Sequence, residues 1–228
     1  MTAPQTSTDE TIENADEPVA SGEAETGHPD EPSEDRQDLQ EDQASLSLVV
    51  LRDVAIVSGL LSLFAAAEAW ATVSGLAFAA LLSVVNGFLV GAGTNALLHE
   101  WGHFAGARLG GGHAPLRPVA GFLPIFDFDY VGNDQHAFDW MSIGGHLAHL
   151  SLPLVYFIAL PMDSPGTAAL VAGAAGFAVF AGIIEIPVIR KSLDGMNGLE
   201  ALGTIPKDFV QRTLPWAVGA ALLIFLVL

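Results

Sequence analysis

A chain of 228 residues that is 51% hydrophobic and only 15% charged, with positive mean hydropathy, is too apolar for an ordinary soluble domain. Its net charge of −18, with 8 Lys and Arg in all, leaves no basic surface for nucleic acid. Cysteine is absent, which excludes disulfides and thiolate metal sites, so any metal must rest on Asp, Glu or one of the 7 His.

The charge is unevenly placed. Residues 1–43 hold 14 of the 26 acidic residues and one base, Arg36. A segment with so little to bury cannot offset its ordering entropy, so residues 1–45 are expected to be a disordered acidic tail. It has neither the basic start nor the apolar run of a signal peptide. From Leu46 onward the chain is expected to be an integral membrane domain, all-α and polytopic. Apolar runs of about 20 residues, the length a helix needs to cross the hydrocarbon, recur five times. They cover about 48–71, 76–108, 138–160, 167–189 and 214–228, with turns marked by Ser74-Gly75 and by Pro161 to Gly166. The segment 110–136 is polar and rich in Pro and aromatics.

Arg36 and Arg52 precede the first span, Arg108 and Arg117 follow the second, and Arg190, Lys191, Lys207 and Arg212 follow the fourth. Basic residues near span ends stay on the cytoplasmic side, so the N-terminus and both basic loops are expected in the cytoplasm, in a multi-pass protein of the cell membrane.

The chemistry is carried by His99-Glu100-Trp101-Gly102-His103. Two His four apart project from one helical face and can hold one zinc ion, with Glu100 beside them. Zinc lowers the pKa of a bound water to about 7, and the glutamate can take its proton as hydroxide attacks a carbonyl. Two imidazoles and a carboxylate at membrane depth are costly unless they bind something or line a polar cavity. A third ligand is expected at Asp194, in Leu193-Asp194-Gly195, because it follows the fourth span on the side where the second span ends. Glu185 and Glu200 are its rivals.

These motifs make the chain resemble the site-2 protease family of intramembrane zinc metalloproteases. His99 to His103 fits the family's HExGH motif, with Ala107-Arg108 after it. Leu193-Asp194-Gly195 fits its downstream Leu-Asp-Gly, and Gly145-His146-Leu147-Ala148-His149 stands where its middle core helix opens with Gly-Pro-Leu-Ala-Asn. The resemblance covers about 76–200 and implies a three-helix catalytic core. It also implies one Zn2+ per chain on His99, His103 and Asp194, Glu100 as catalytic base, and a transmembrane helix as substrate. The stretch Ala114–Tyr130 would be a hairpin or re-entrant loop that meets the substrate; its Pro115, Pro118, Gly121 and Pro124 oppose a regular helix. The chain departs from the family in having Pro187 farther from Leu-Asp-Gly, no Asn before it, and His146 and His149 in place of Pro and Asn. Those two histidines leave open extra ligands, a proton relay or helix packing. The function expected is an intramembrane zinc endopeptidase. The alternatives are an inert family member that binds membrane helices and a metal-handling membrane protein.

Overall fold

A computed structural model describes residues 34–117 and 123–228, with side chains from Leu46 onward. Among the described residues six helices follow one another: α1 (Glu34–Ser74), α2 (Ala77–Leu109), α3 (Gln135–Ala159), α4 (Pro165–Leu193), the short α5 (Gly198–Gly203) and α6 (Phe209–Val227). All but α5 are long and apolar enough to cross a membrane, which makes the chain an all-α multi-pass membrane protein. Large apolar side chains such as Leu63, Phe78, Leu89, Ile158 and Leu223 stand exposed on the outer faces, as lipid contact requires.

The first helix begins at Glu34, within the expected tail segment 1–45: residues 34–43 contain Glu, Gln, Asp, Arg and Leu and no Pro or Gly, and the helix of the first span runs on through them. Residues 1–33 of the expected tail lie outside the described residues.

Turns and caps set the ends of the spans. Gly75 takes φ 63 between α1 and α2. The Asp134 side chain caps α3 by accepting from Ala137 N, and Ser164 caps α4 by accepting from Thr167 N, with Pro165 at the helix start.

In the packing, α4 is central: 67% of its apolar window is buried, against 17% for α1 and for α6. Two Gly pairs at four-residue spacing let α2 meet both inner neighbours. A methyl group at Gly87 or Gly91 would collide with the α4 backbone at Gly166 and Leu170. One at Gly102 or Gly106 would collide with the α3 backbone at Gly144 and Trp140. Without a hydrophobic drive between helices in lipid, close backbone approach of this kind is what holds a bundle together. Asn95 adds polar links, its side-chain amide donating to His149 O (3.0 Å) and Ala174 O (2.7 Å). Glu68 and Ser83 are hydrogen-bonded between α1 and α2.

Between α2 and α3, residues 115–117 and 125–127 lie side by side, antiparallel. Leu116 and Phe126 pair as an antiparallel bridge, Arg117 N donates to Ile125 O and Asp127 N to Pro115 O (both 2.9 Å). The Arg117 and Asp127 side chains form an ion pair across the hairpin. Buried Ile125 and Phe126 dock it on Leu97, Phe104, Phe138 and Val188 of the bundle. The hairpin expected within Ala114–Tyr130 is present; its Pro118, Gly121 and Phe122 lie outside the described residues.

Candidate metal centre

His99 and His103 sit one turn apart on α2 and face the α2–α3–α4 interface. Each turns its Nδ1 onto a backbone carbonyl of α3: His99 to Gly145 O at 3.2 Å, His103 to Met141 O at 2.8 Å. The contact demands glycine at 145, since a Cβ there would overlap the His103 ring. With a proton on each Nδ1 donated to these carbonyls, both Nε2 atoms keep a lone pair. This is how metal-binding imidazoles are usually held.

The Nε2 atoms converge on a carboxylate of α4, and it is Glu185. Its Oε1 lies 3.0 Å from His99 Nε2 and 3.1 Å from His103 Nε2, and the two nitrogens are 3.2 Å apart. Tetrahedral ligands at Zn–N distances of 2.0–2.1 Å are separated by about 3.3 Å, so the three donors already form one face of such a site. Together they can hold a metal ion.

Asp194, the third ligand expected from the sequence, does not join them. It is the exposed C-cap of α4. Nine residues beyond Glu185 place it about 13 Å farther along the axis and on the opposite face of the helix. Asp194 thus misses the histidines both in depth along α4 and in rotation, pointing out of the bundle. Glu200, the other rival, is exposed on α5. The signal that favours Glu185 is present in the sequence: it is a lone carboxylate in the apolar run Ile183-Ile184-Glu185-Ile186, where an ionisable group calls for a partner.

His146 and His149 of α3 approach the same carboxylate from its other side, their Nδ1 atoms 3.7 and 3.8 Å from Glu185 Oε2. His149 is fully buried and lies edge-on to Phe177, which also packs against His99.

Glu100, half-buried, faces a cavity of about 330 Å³ that reaches His103 and Glu185. The cavity is bounded by the hairpin at Arg117 and Phe126, by Met141 and Ser142 of α3, by Val188 of α4 and by Leu202 of α5. It lies at the end of the bundle where α2 stops and the basic residues cluster. Tyr130, at its rim, has its hydroxyl pKa pushed up by burial and by the nearby Glu100 charge. Among the described residues none is hydrogen-bonded to the Glu100 carboxylate, which leaves it available to a ligand.

The structure therefore brings together His99, Glu100 and His103 as the spacing predicts, substitutes Glu185 for Asp194, and adds His146 and His149. Comparison with family models, with curated proteins and with solved structures finds no match for this chain.

Proposed function

We propose that the protein is an intramembrane zinc endopeptidase of the site-2 protease type, cleaving transmembrane or membrane-tethered proteins. The observation that carries the reading is the convergence of His99 Nε2, His103 Nε2 and Glu185 Oε1 within 3.0 to 3.2 Å of one another, beside the free carboxylate of Glu100. Zinc is the favoured ion because two neutral imidazoles and one carboxylate are the donor set of many catalytic zinc sites. Bound there, it supplies Lewis acidity that acidifies water and polarises a carbonyl.

The chain's own residues do the rest. Gly145 O and Met141 O fix the tautomer and tilt of the two imidazoles. Glu100 accepts the proton of the attacking water and passes it to the leaving amine, as a general base and then acid. The hairpin wall offers backbone donors and acceptors to a substrate strand, and a cavity of about 330 Å³ falls within the size range of ligand clefts, roughly 300–1,000 Å³. A substrate helix must unwind to present its carbonyl there. On this reading the N-terminus and the basic loops face the cytoplasm, and the cavity opens toward that side of the cell membrane. The chain has no native cysteine, so single cysteines at Ser74 and Thr204 with a membrane-impermeant maleimide test the orientation directly. Labelling of Ser74→Cys alone in intact cells fits it; labelling of Thr204→Cys alone reverses it.

The test of the activity is cleavage of a panel of transmembrane substrates in proteoliposomes, wild type against Glu100→Gln, with zinc measured in both. Cleavage that the variant abolishes while keeping zinc supports the protease. Zinc binding without cleavage by either protein moves the inert helix-binding reading ahead. A metal-handling role is the second reading, favoured by His146 and His149 at the same carboxylate. Zinc flux into dye-loaded vesicles, insensitive to Glu100→Gln, is its signature.

A further inference from the structure

The reaction proposed above uses two of the four imidazoles around Glu185. The other two, His146 and His149, lie three residues apart on α3 and so share a face. Their ring centroids are 4.7 Å apart with the planes near perpendicular, at 84°. Both turn Nδ1 toward Oε2, the oxygen that the His99–His103 pair does not touch, at 3.7 and 3.8 Å. Those separations are too long for hydrogen bonds. Glu185 Oε2 and His146 Nδ1, which face each other, are both buried without a hydrogen-bond partner. Two unpaired polar atoms at one spot inside a membrane bundle are costly, and a bound cation is the simplest group to satisfy them.

The tautomers fit the same conclusion. His149 Nδ1 is 3.1 Å from His99 Nδ1, and His99 already has its Nδ1 on Gly145 O. If the His99 proton is on Nδ1, the facing His149 Nδ1 carries a lone pair rather than a proton, which is the form a metal needs.

We propose a second metal site in this chain: a divalent transition ion of the zinc class held by His146, His149 and Oε2 of Glu185. The three donors lie close enough together to serve one ion. Glu185 then bridges two ions, one on each carboxylate oxygen, in a dinuclear centre with a metal–metal distance of about 3.5–4 Å. The second pair stands 3.7 and 3.8 Å from its carboxylate oxygen against 3.0 and 3.1 Å for the first, so both rings and the carboxylate close by about half an ångström to reach the donor separations of about 3.3 Å that a tetrahedral ion asks for; His146 has the most exposed side chain of the four. The inference rests on the metal site of the preceding section but not on proteolysis.

The experiment is zinc content per chain in the full-length protein in nanodiscs, with X-ray absorption at the zinc edge. Wild type, His146→Ala/His149→Ala and His99→Ala/His103→Ala are compared. Two zinc ions in the wild type with a metal–metal scattering path, falling to one ion without that path in the His146/His149 variant, support the dinuclear centre. A wild type with one ion overturns it, whichever pair of histidines holds that ion. If the His146/His149 variant keeps that one ion and the His99/His103 variant loses it, the first site survives the failure of the second. No zinc in the wild type overturns both. Two ions without a metal–metal path also overturn the proposal. The wild-type spectrum decides the matter if the double variant does not fold, and the milder His146→Ala then serves for the count.

Discussion

The histidine cluster has two sides, and they differ in packing and in polarity. Toward the basic end of the bundle lies open space: the cavity with Glu100, walled by the hairpin and by α5 as well as by α2, α3 and α4. Directly behind the histidines the interior is filled: Asn95 and His149 are fully buried and the Asn95 amide bridges to α3 and α4. Farther out, Tyr156 donates to Thr94 Oγ1 at 2.9 Å, and both line a second, mostly apolar cavity of about 380 Å³ between α1, α2 and α3. A site closed on one side and roomy on the other suits a reagent and product that enter and leave by the same door.

The contrast can be broken from the open side first. Glu100→Gln is expected to lower cleavage by about 10²–10⁴-fold with zinc retained, the range for loss of a general base. Glu185→Gln should remove the metal and all activity, while Asp194→Asn leaves zinc content intact and stability within about 0.5 kcal/mol, as for other exposed positions. The reverse result, zinc lost with Asp194→Asn, would sink the ligand assignment made here. Gly145→Ala, which forces a methyl into the His103 ring, is expected to weaken zinc affinity by about 10–100-fold, the size of effects seen when the support of a metal-binding histidine is disturbed. On the filled side, Asn95→Ala should cost about 1–2 kcal/mol in detergent unfolding with cleavage largely kept. If it abolishes cleavage instead, the two sides are coupled.

The smallest effect concerns the loop that leads from the hairpin into α3. Asp129 accepts from the backbone N–H groups of Gly132 and Val131, which holds its carboxyl below the ordinary carboxylate value. A folded pKa below the unfolded one means that this contribution is fully present above pH ~4 and is lost as pH falls through the folded value. The amide resonances of Val131 and Gly132 should shift across that acidic window and stay constant near neutrality.

Five spans could be read from the sequence because hydrocarbon thickness fixes a length that apolar runs must meet, and the described helices agree within a few residues at most ends. The last helix starts earlier than its apolar run, at Phe209, because Gln211 and Arg212 are carried at its exposed end, with Arg212 paired to Asp208. The six-residue α5, with Gly at both ends, has too short a period to show. In the site, His99 and His103 were legible because both ligands lie on one helix, where spacing alone fixes the face. The third donor was not, because its helix is set by tertiary packing: hydropathy marks the ends of α4 but neither its axial offset nor its rotation against α2. That rotation comes from Gly87 and Gly91 against Gly166 and Leu170, a fit between backbones that only the assembled bundle displays.

One tie described above has a counterpart at the other end of the same helix pair. The buried carboxylate of Asp53 on α1 accepts from Trp101 Nε1 at 2.8 Å, in the middle of the His99–His103 turn, while Glu68 meets Ser83 fifteen residues further along α1. The anchors on α1 are about 22 Å apart. Between antiparallel greasy helices that could otherwise slide past one another, two such anchors work as a register lock: a slip of one turn breaks both, leaving Asp53 only its Arg52 partner and stranding the Glu68 carboxylate in hydrocarbon. The first helix is thereby indexed to the motif.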